Sequence, residues 1–170
     1  MSTLEVKELS APAGFDIKIA SGKTLDLNSQ GDVKMPAGSV VQAVRSTDYA
    51  DLNTSSTTYV TLATITITPR NSSNLILLSV TGGKMNHNTA SATTHLYAFY
   101  RGAEVLSYNT HWSGGSINYD IALNTTAYDM ADTTSPITFH LKGKVSNGNG
   151  WLMHDTANQV PNITAMEIAQ

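Results

Sequence analysis

The feature that most constrains this chain is the repeated alternation of apolar and polar residues over short runs that end at turn residues. Residues 59–68 read YVTLATITIT, with apolar side chains at alternate positions except near Ala63 and Thr64. A period of two places successive side chains on opposite faces of a β-strand. No stretch shows helical periodicity over more than two turns. The sequence therefore predicts an all-β protein, with a β-bulge where the register changes near residue 63.

Nine runs of this kind lie within residues 39–170, at 40–45, 59–68, 75–80, 95–101, 104–106, 117–123, 137–145, 150–153 and 163–168. The run at 75–80 is almost continuously apolar, which predicts a central strand covered on both faces. The chain contains 22 Thr, 17 Ser and 13 Asn. Thr favours strands, while Ser and Asn favour turns. Many strands joined by many turns are typical of an antiparallel β-sandwich or jelly roll.

The first 38 residues differ from the rest of the chain. They consist of very short alternating pieces punctuated by Gly14, Gly22 and Gly31, and Pro36 and Gly38 predict a hinge. Strands this short bury too little surface to stand alone. We therefore predict two units, a strand-turn arm over residues 1–38 and a sandwich over residues 39–170. The arm is expected to attach and trimerise the chain through its apolar residues, Leu4, Val6, Leu9, Phe15, Ile17, Ile19, Leu25, Leu27, Val33 and Met35.

Charge and composition bear on the possible partners. The formal net charge is -3, and the 10 Lys and Arg residues are scattered, whereas nucleic-acid binding requires clustered basic residues. No apolar run approaches the roughly 18 residues of a membrane-spanning helix. The N-terminus lacks the basic start and apolar stretch of a signal peptide. We expect no nucleic-acid partner, no membrane insertion and synthesis in the cytoplasm without an export signal.

The residues that could carry chemistry do not form a recognised pattern. Cysteine is absent, which excludes thiolate chemistry and Cys-based metal sites. The five histidines do not show the spacing of a zinc site, and no GxSxG motif is present. The sequence predicts no metal, no cofactor and no catalytic residues, and therefore a protein that is not an enzyme. Convergence of the loop residues His87, His111 and His154 on a metal is the alternative.

The two tryptophans are more informative. Both fall in segments rich in glycine and asparagine, HWSGGSINY and NGNGW. An exposed aromatic ring can cover the apolar face of a sugar while neighbouring amides bind its hydroxyl groups. We therefore predict that any glycan-binding site lies in loops near Trp112, Tyr119, Trp151 and His154. The alternative is that both indoles cap the ends of the sandwich core, since Trp is usually well buried.

Three segments resemble parts of bacteriophage fibre proteins. The segment FDIKIASGKTLDLNSQGDVKMPAGSVVQAV resembles the short repeats of such fibres and the junction that follows them. The C-terminal ITAMEIAQ is similar to the closing strand of fibre-like virion proteins common in marine phages. The hairpin FYRGAE, residues 99–104, resembles one that recurs in the middle of those domains. Residues 46–94 carry no motif of this kind.

The resemblance implies a virion structural protein, made in the host cytoplasm, that forms a homotrimeric tail fibre, knob or capsid decoration. Its partners would be other copies of itself, other virion proteins and host-surface glycans. The resemblance carries no catalytic residues to transfer. The alternative function is a carbohydrate-binding β-sandwich module. The arm distinguishes the two, because a binding module should fold as a monomer and bind sugar after residues 1–38 are deleted.

Overall fold

In a computed structural model of the chain, the described residues are 21, 35–46, 48–49, 52–87, 93–113, 121–147, 150–154 and 161–170. The chain divides between Lys34 and Met35, and every described strand belongs to the second unit, Met35–Gln170. Of the ten apolar arm residues, nine lie outside the described residues. The tenth, Met35, has a side chain that is 39% exposed.

The described residues form ten β-strands and no helix. The strands are β1 (Val40–Ser46), β2 (Leu52–Thr54), β3 (Val60–Ile67), β4 (Leu75–His87), β5 (Thr93–Arg101), β6 (Glu104–Ser113), β7 (Ile121–Met130), β8 (Ile137–Val145), β9 (Gly150–His154) and β10 (Asn162–Ile168).

The strands form two antiparallel sheets. The six-stranded sheet has the order β1-β10-β4-β9-β2, and β7 pairs with the other edge of β4. The four-stranded sheet has the order β3-β8-β5-β6. The long β4 pairs with β10 through Thr81 and with β9 from Lys84. The predicted antiparallel β-sandwich is confirmed, and the jelly-roll arrangement stays a prediction.

The core lies between the two sheets, and the alternation of residues explains it. In the first part of β4 the side chains of Ile76, Leu78 and Val80 are buried, one at every second position. In β8 the buried positions alternate in the same way, from Ile137 to Val145. The polar end of a buried tyrosine is also satisfied, because Tyr97 donates its O–H to the carbonyl oxygen of Leu152 at 2.6 Å.

Several details of the strand prediction differ from the structure. The predicted bulge is confirmed, since the register of β3 on β8 shifts between Thr61 and Ala63. Strand β2 lies between the predicted runs at 40–45 and 59–68, where no strand was predicted. Strand β7 extends to Met130, beyond the predicted end at residue 123. Strand β4 is central as predicted, but Leu75 and Leu77 are only half-buried, so its outer face is incompletely covered within one chain.

Candidate functional site

The predicted glycan residues fall on two different sheets. Trp112 lies on β6 of the four-stranded sheet, where its backbone pairs with Thr94. Trp151 and His154 lie on β9 of the six-stranded sheet. Tyr119 lies outside the described residues. The three placed residues are therefore in strands rather than loops, and a glycan site at these four positions stays a prediction.

The structure brings together a different set of aromatic residues on the outer face of the four-stranded sheet. We call it the Tyr–Lys cluster, and its members are Tyr59, Tyr100, Tyr108, Lys142 and Lys144. The rings of Tyr59 and Tyr100 meet edge to face, with centroids 5.8 Å apart. The Nζ atom of Lys142 lies 4.3 Å from the centroid of Tyr100, and that of Lys144 lies 4.7 Å from the centroid of Tyr59. Each ammonium group is thus held by the negative face of a ring.

Strand alternation and pairing explain why these residues meet. Lys142 and Lys144 are two positions apart on β8, so both point away from the core, as Gly143 between them points inward. Lys142 pairs with Ala98 of β5, and Ala98 pairs in turn with Tyr108 of β6. The face is thus assembled across neighbouring strands that are distant in the sequence.

Two phenol groups of the cluster, those of Tyr59 and Tyr100, have a raised pKa. Partial burial, followed by the neighbouring phenols of Tyr100 and Tyr108, raises the pKa of Tyr59. Burial and Tyr108 likewise raise the pKa of Tyr100. Because a neutral phenol can both donate and accept a hydrogen bond, these hydroxyls remain able to donate at neutral pH.

The outer face of the six-stranded sheet is apolar at one end. Four aligned residues of β1, β10, β4 and β7 form one row, and the next four outward-facing residues form a second. We call these rows the apolar patch; the first is Val40, Ile168, Leu75 and Met130, and the second is Ala43, Met166, Leu77 and Tyr128. Val40 is 52% exposed, Met130 41% and Tyr128 71%. The next row is polar, with Arg45, Thr164, Ser79 and Thr126.

A buried carboxylate lies on the inner side of the same end. Glu167 is fully buried, and its Oε1 accepts hydrogen bonds from the backbone N–H groups of Arg70 and Asn71 and from Nδ2 of Asn74, at 2.9, 3.1 and 2.7 Å. Its Oε2 accepts a bond of 2.6 Å from Nε2 of Gln42. Burial raises the pKa of this carboxyl, but the four donors outweigh it and hold the pKa below its usual value. We call these residues the Glu167 network.

A groove of about 330 Å³ lies between β6 and β7, and its lining includes the carboxylate of Asp129. Arg101 neutralises this group, with Nη1 at 2.9 Å from Oδ2 of Asp129. The same guanidinium donates to the carbonyl oxygens of Met130 and Ala131. Asp129 therefore orients an arginine that fastens the end of β7, which is a structural use of the carboxylate.

Comparison with known proteins gives no family for this chain. No protein-family profile matches it, and no curated protein matches it. Within the described part of the chain, no three His, Asp or Glu side chains are grouped so as to hold a metal ion. The described residues also contain no helix of the length and hydropathy needed to cross a bilayer.

Neither the Tyr–Lys cluster nor the apolar patch was predicted from the sequence. The cluster has one local signal, the sequence LKGKV, in which two lysines alternate with small or apolar residues. The tyrosines that meet them are 34 to 85 residues away along the chain. The patch has a local signal in residues 166–168, where two apolar residues flank a glutamate, but alternation alone does not say which side faces the core.

Proposed function

We propose that the protein is a non-enzymatic structural subunit of a bacteriophage virion, as a homotrimeric tail fibre, knob or capsid decoration. The apolar patch is the observation that carries the structural part of this proposal. Eight apolar residues lie in two complete rows across four strands and end at a polar row. A contiguous apolar surface that ends at polar residues is suited to the centre of a contact with another protein. The virion part of the proposal is supported by the resemblance to fibre proteins.

The size of the patch indicates what else the assembly needs. With strands ~4.8 Å apart and rows ~7 Å apart, the patch covers on the order of 250 Å². A stable interface buries about 800 Å² on each partner. The patch can therefore be the apolar centre of a subunit contact, but it is too small to be the whole contact. We propose that residues 1–38 supply the remainder.

The arm has enough apolar residues for this role. Burying half of the ten would contribute on the order of 10 kcal/mol before entropy, at about 1.5–3 kcal/mol for each large side chain. Ordering the backbone costs about 1–2 kcal/mol per residue. An isolated arm should therefore not fold alone, and association of several copies supplies the missing burial. Threefold closure follows the fibre resemblance and leaves no exposed strand edge.

Native mass spectrometry tests this proposal. The full chain is expected to be a trimer, and a chain lacking residues 1–34 is expected to be a monomer. That deletion keeps the backbone bonds between Ser39, Gly38 and Ala169, so the sandwich edge stays intact. The double variant Leu77→Lys/Met166→Lys should also be monomeric, because it places charges at the centre of the patch.

The matched control is Ser79→Lys/Thr164→Lys, which places the same charges one row further along the same two strands. This control should remain trimeric. A full-length chain that is a monomer would contradict the proposal, as would a Leu77→Lys/Met166→Lys variant that keeps the trimer.

A carbohydrate-binding module is the second candidate, and the Tyr–Lys cluster favours it. Exposed aromatic rings with hydrogen-bonding groups around them are suited to sugars. This candidate requires a monomeric sandwich that binds sugar without the arm. The native mass of the full chain therefore separates the two candidates, since a virion subunit is expected to be a trimer and a binding module a monomer.

A further inference from the structure

The Tyr–Lys cluster presents two cations without an acidic partner. Among the residues that the structure describes, neither Lys142 nor Lys144 forms an ion pair with a carboxylate. Each ammonium lies over a ring, which orients the side chain but does not neutralise its charge. Adjacent outward positions on a strand are about 7 Å apart. The face therefore offers two positive charges from neighbouring outward positions of one strand.

The surroundings of these charges are aromatic and rich in hydroxyls. Tyr108 is 69% exposed, so its ring is available for stacking. Neutral phenols at Tyr59 and Tyr100 add hydrogen-bond donors and acceptors. Exposed threonines lie on the same face at Thr61 and Thr110, which pair with Lys142 and Leu96 respectively. Ring surface, hydroxyls and two cations together match a ligand with apolar ring faces, many hydroxyl groups and more than one negative charge.

We propose that this face binds an acidic carbohydrate, such as an oligosaccharide of uronic acids. Lys142 and Lys144 would bind carboxylates of the sugar, and Tyr108 would stack on a sugar ring. The inference goes beyond the proposed assembly, since it uses the four-stranded sheet and not the apolar patch. The assembly and the sugar site can therefore fail independently.

Three other occupants fit the face less well. Nucleic acid requires many neutralised phosphates, and this face supplies two lysines on a chain of net charge -3. A bilayer surface requires several protruding apolar side chains, and Tyr108 is the one large exposed apolar side chain that the described residues place here. A second copy of the chain is a poorer match because lysine is depleted at protein interfaces.

Calorimetric titration of the full chain tests the proposal with a matched pair of probes. The first is an oligogalacturonate, and the second is its methyl ester, which has the same sugar skeleton without the charges. The full chain should bind the first and not the second, and the affinity should fall as salt is added. Replacing each lysine by glutamine should weaken binding about tenfold, because a hydrogen bond to a charged group is lost.

The lysine variant Lys142→Gln/Lys144→Gln needs a control with the same change in net charge. Arg45→Gln/Arg70→Gln removes two exposed cations elsewhere and should leave the affinity unchanged. Tyr108→Phe should keep most of the binding, because the ring remains, whereas Tyr108→Ala should lose it. Circular dichroism and native mass should show that every variant keeps the fold and the assembly of the parent chain.

Four results would overturn the proposal. The first is equal binding of the two probes, and the second is unchanged binding of the oligogalacturonate by Lys142→Gln/Lys144→Gln. The third is equally tight binding of phosphatidylglycerol vesicles or single-stranded DNA by the full chain. The fourth is loss of the assembly in Lys142→Gln/Lys144→Gln. The last result would mean that another copy covers the face. Deleting residues 1–34 tests the proposed function instead, through loss of the trimer. This inference is unaffected if the remaining chain still binds the oligogalacturonate.

Discussion

The two sheets of the sandwich distribute polar and apolar residues in opposite ways. In the four-stranded sheet, the inner face is mainly apolar, with Phe99 and Phe139 fully buried beside a buried His95, and the outer face carries lysines. In the six-stranded sheet, one end is reversed. Glu167 points inward and is fully buried, while Met166 and Ile168 point outward and are half-buried. The first sheet has an outer face suited to water, and the second has one suited to a partner.

The reversal in β10 has an identifiable physical cause. Glu167 meets four donors, from Gln42 and from the connection between β3 and β4. A buried carboxylate is tolerated when hydrogen bonds replace its hydration. Once Glu167 is fixed inward, the period of two forces its neighbours outward. The Glu167 network thus accounts for the outward direction of Met166 and Ile168, the two residues that β10 contributes to the apolar patch.

Removing the carboxylate should have the largest effect on stability. Glu167→Ala leaves four buried or half-buried donors without their acceptor, and we expect a loss of about 3–5 kcal/mol in the free energy of unfolding. Urea denaturation measures this loss. Glu167→Gln should cost less, because an amide oxygen can still accept the three bonds made to Oε1. A loss below 1 kcal/mol for Glu167→Ala, or the same loss for both variants, would show that the network is not what holds β10.

The pH dependence of stability sharpens the same prediction. The pKa of Glu167 is lowered in the folded protein from the ordinary value of 4.5, because the hydrogen bonds from Gln42, Asn74, Asn71 and Arg70 outweigh burial. Its contribution is therefore fully present above that ordinary value and is lost as the pH falls through the folded pKa. The wild type should lose more stability on acidification below pH 4.5 than Glu167→Gln. Parallel pH profiles for the two proteins would contradict this.

The sequence predicted the period of each strand better than the direction in which it faces. Residues 59–68 gave both a strand and its bulge, because a change of register is visible in local alternation. In residues 163–168, one face of the strand carries Ile163, Ala165 and Glu167, and the opposite face carries Thr164, Met166 and Ile168. Hydrophobicity favours neither set as the core side. Which face of β10 points to the core depends on hydrogen-bond donors at Arg70 to Asn74, about 95 residues away in the sequence. The local sequence of β10 does not indicate these donors.

The candidate site was out of reach of sequence reasoning for a related reason. Trp112 and Trp151 were predicted because each lies beside glycine and asparagine in the sequence. The Tyr–Lys cluster instead depends on the order of strands in the sheet, β3-β8-β5-β6. Strand order is set by non-local pairing. Without it, nothing in the sequence indicates that Tyr59 and Tyr100 lie beside the lysines of β8.

Gly143 provides a test of the inner face of the four-stranded sheet, with a smaller expected effect. A Cβ atom at this position would lie 2.7 Å from Cδ1 of Leu62 and 3.2 Å from Cδ1 of Tyr97, both in the core. Gly143→Ala should therefore cost about 1–3 kcal/mol from overpacking. The entropic gain of replacing glycine, about 0.4–1 kcal/mol, is too small to compensate. Thermal and urea unfolding would measure the difference. A stabilised variant would show that the core relaxes easily around β8.

The two residues that flank Gly143 should give the smallest effect on stability. Lys142 and Lys144 point outward, and each contributes one cation–π contact that is partly exposed. Such a contact contributes about 0.5–1 kcal/mol. Lys142→Ala and Lys144→Ala should each lower the free energy of unfolding by less than Gly143→Ala does, although the three positions are consecutive. The same urea titration measures all three variants. If either lysine variant is as destabilising as Gly143→Ala, the Tyr–Lys cluster has a structural role in β8. The contrast between a tightly packed inner face and a tolerant outer face would then not hold for this sheet.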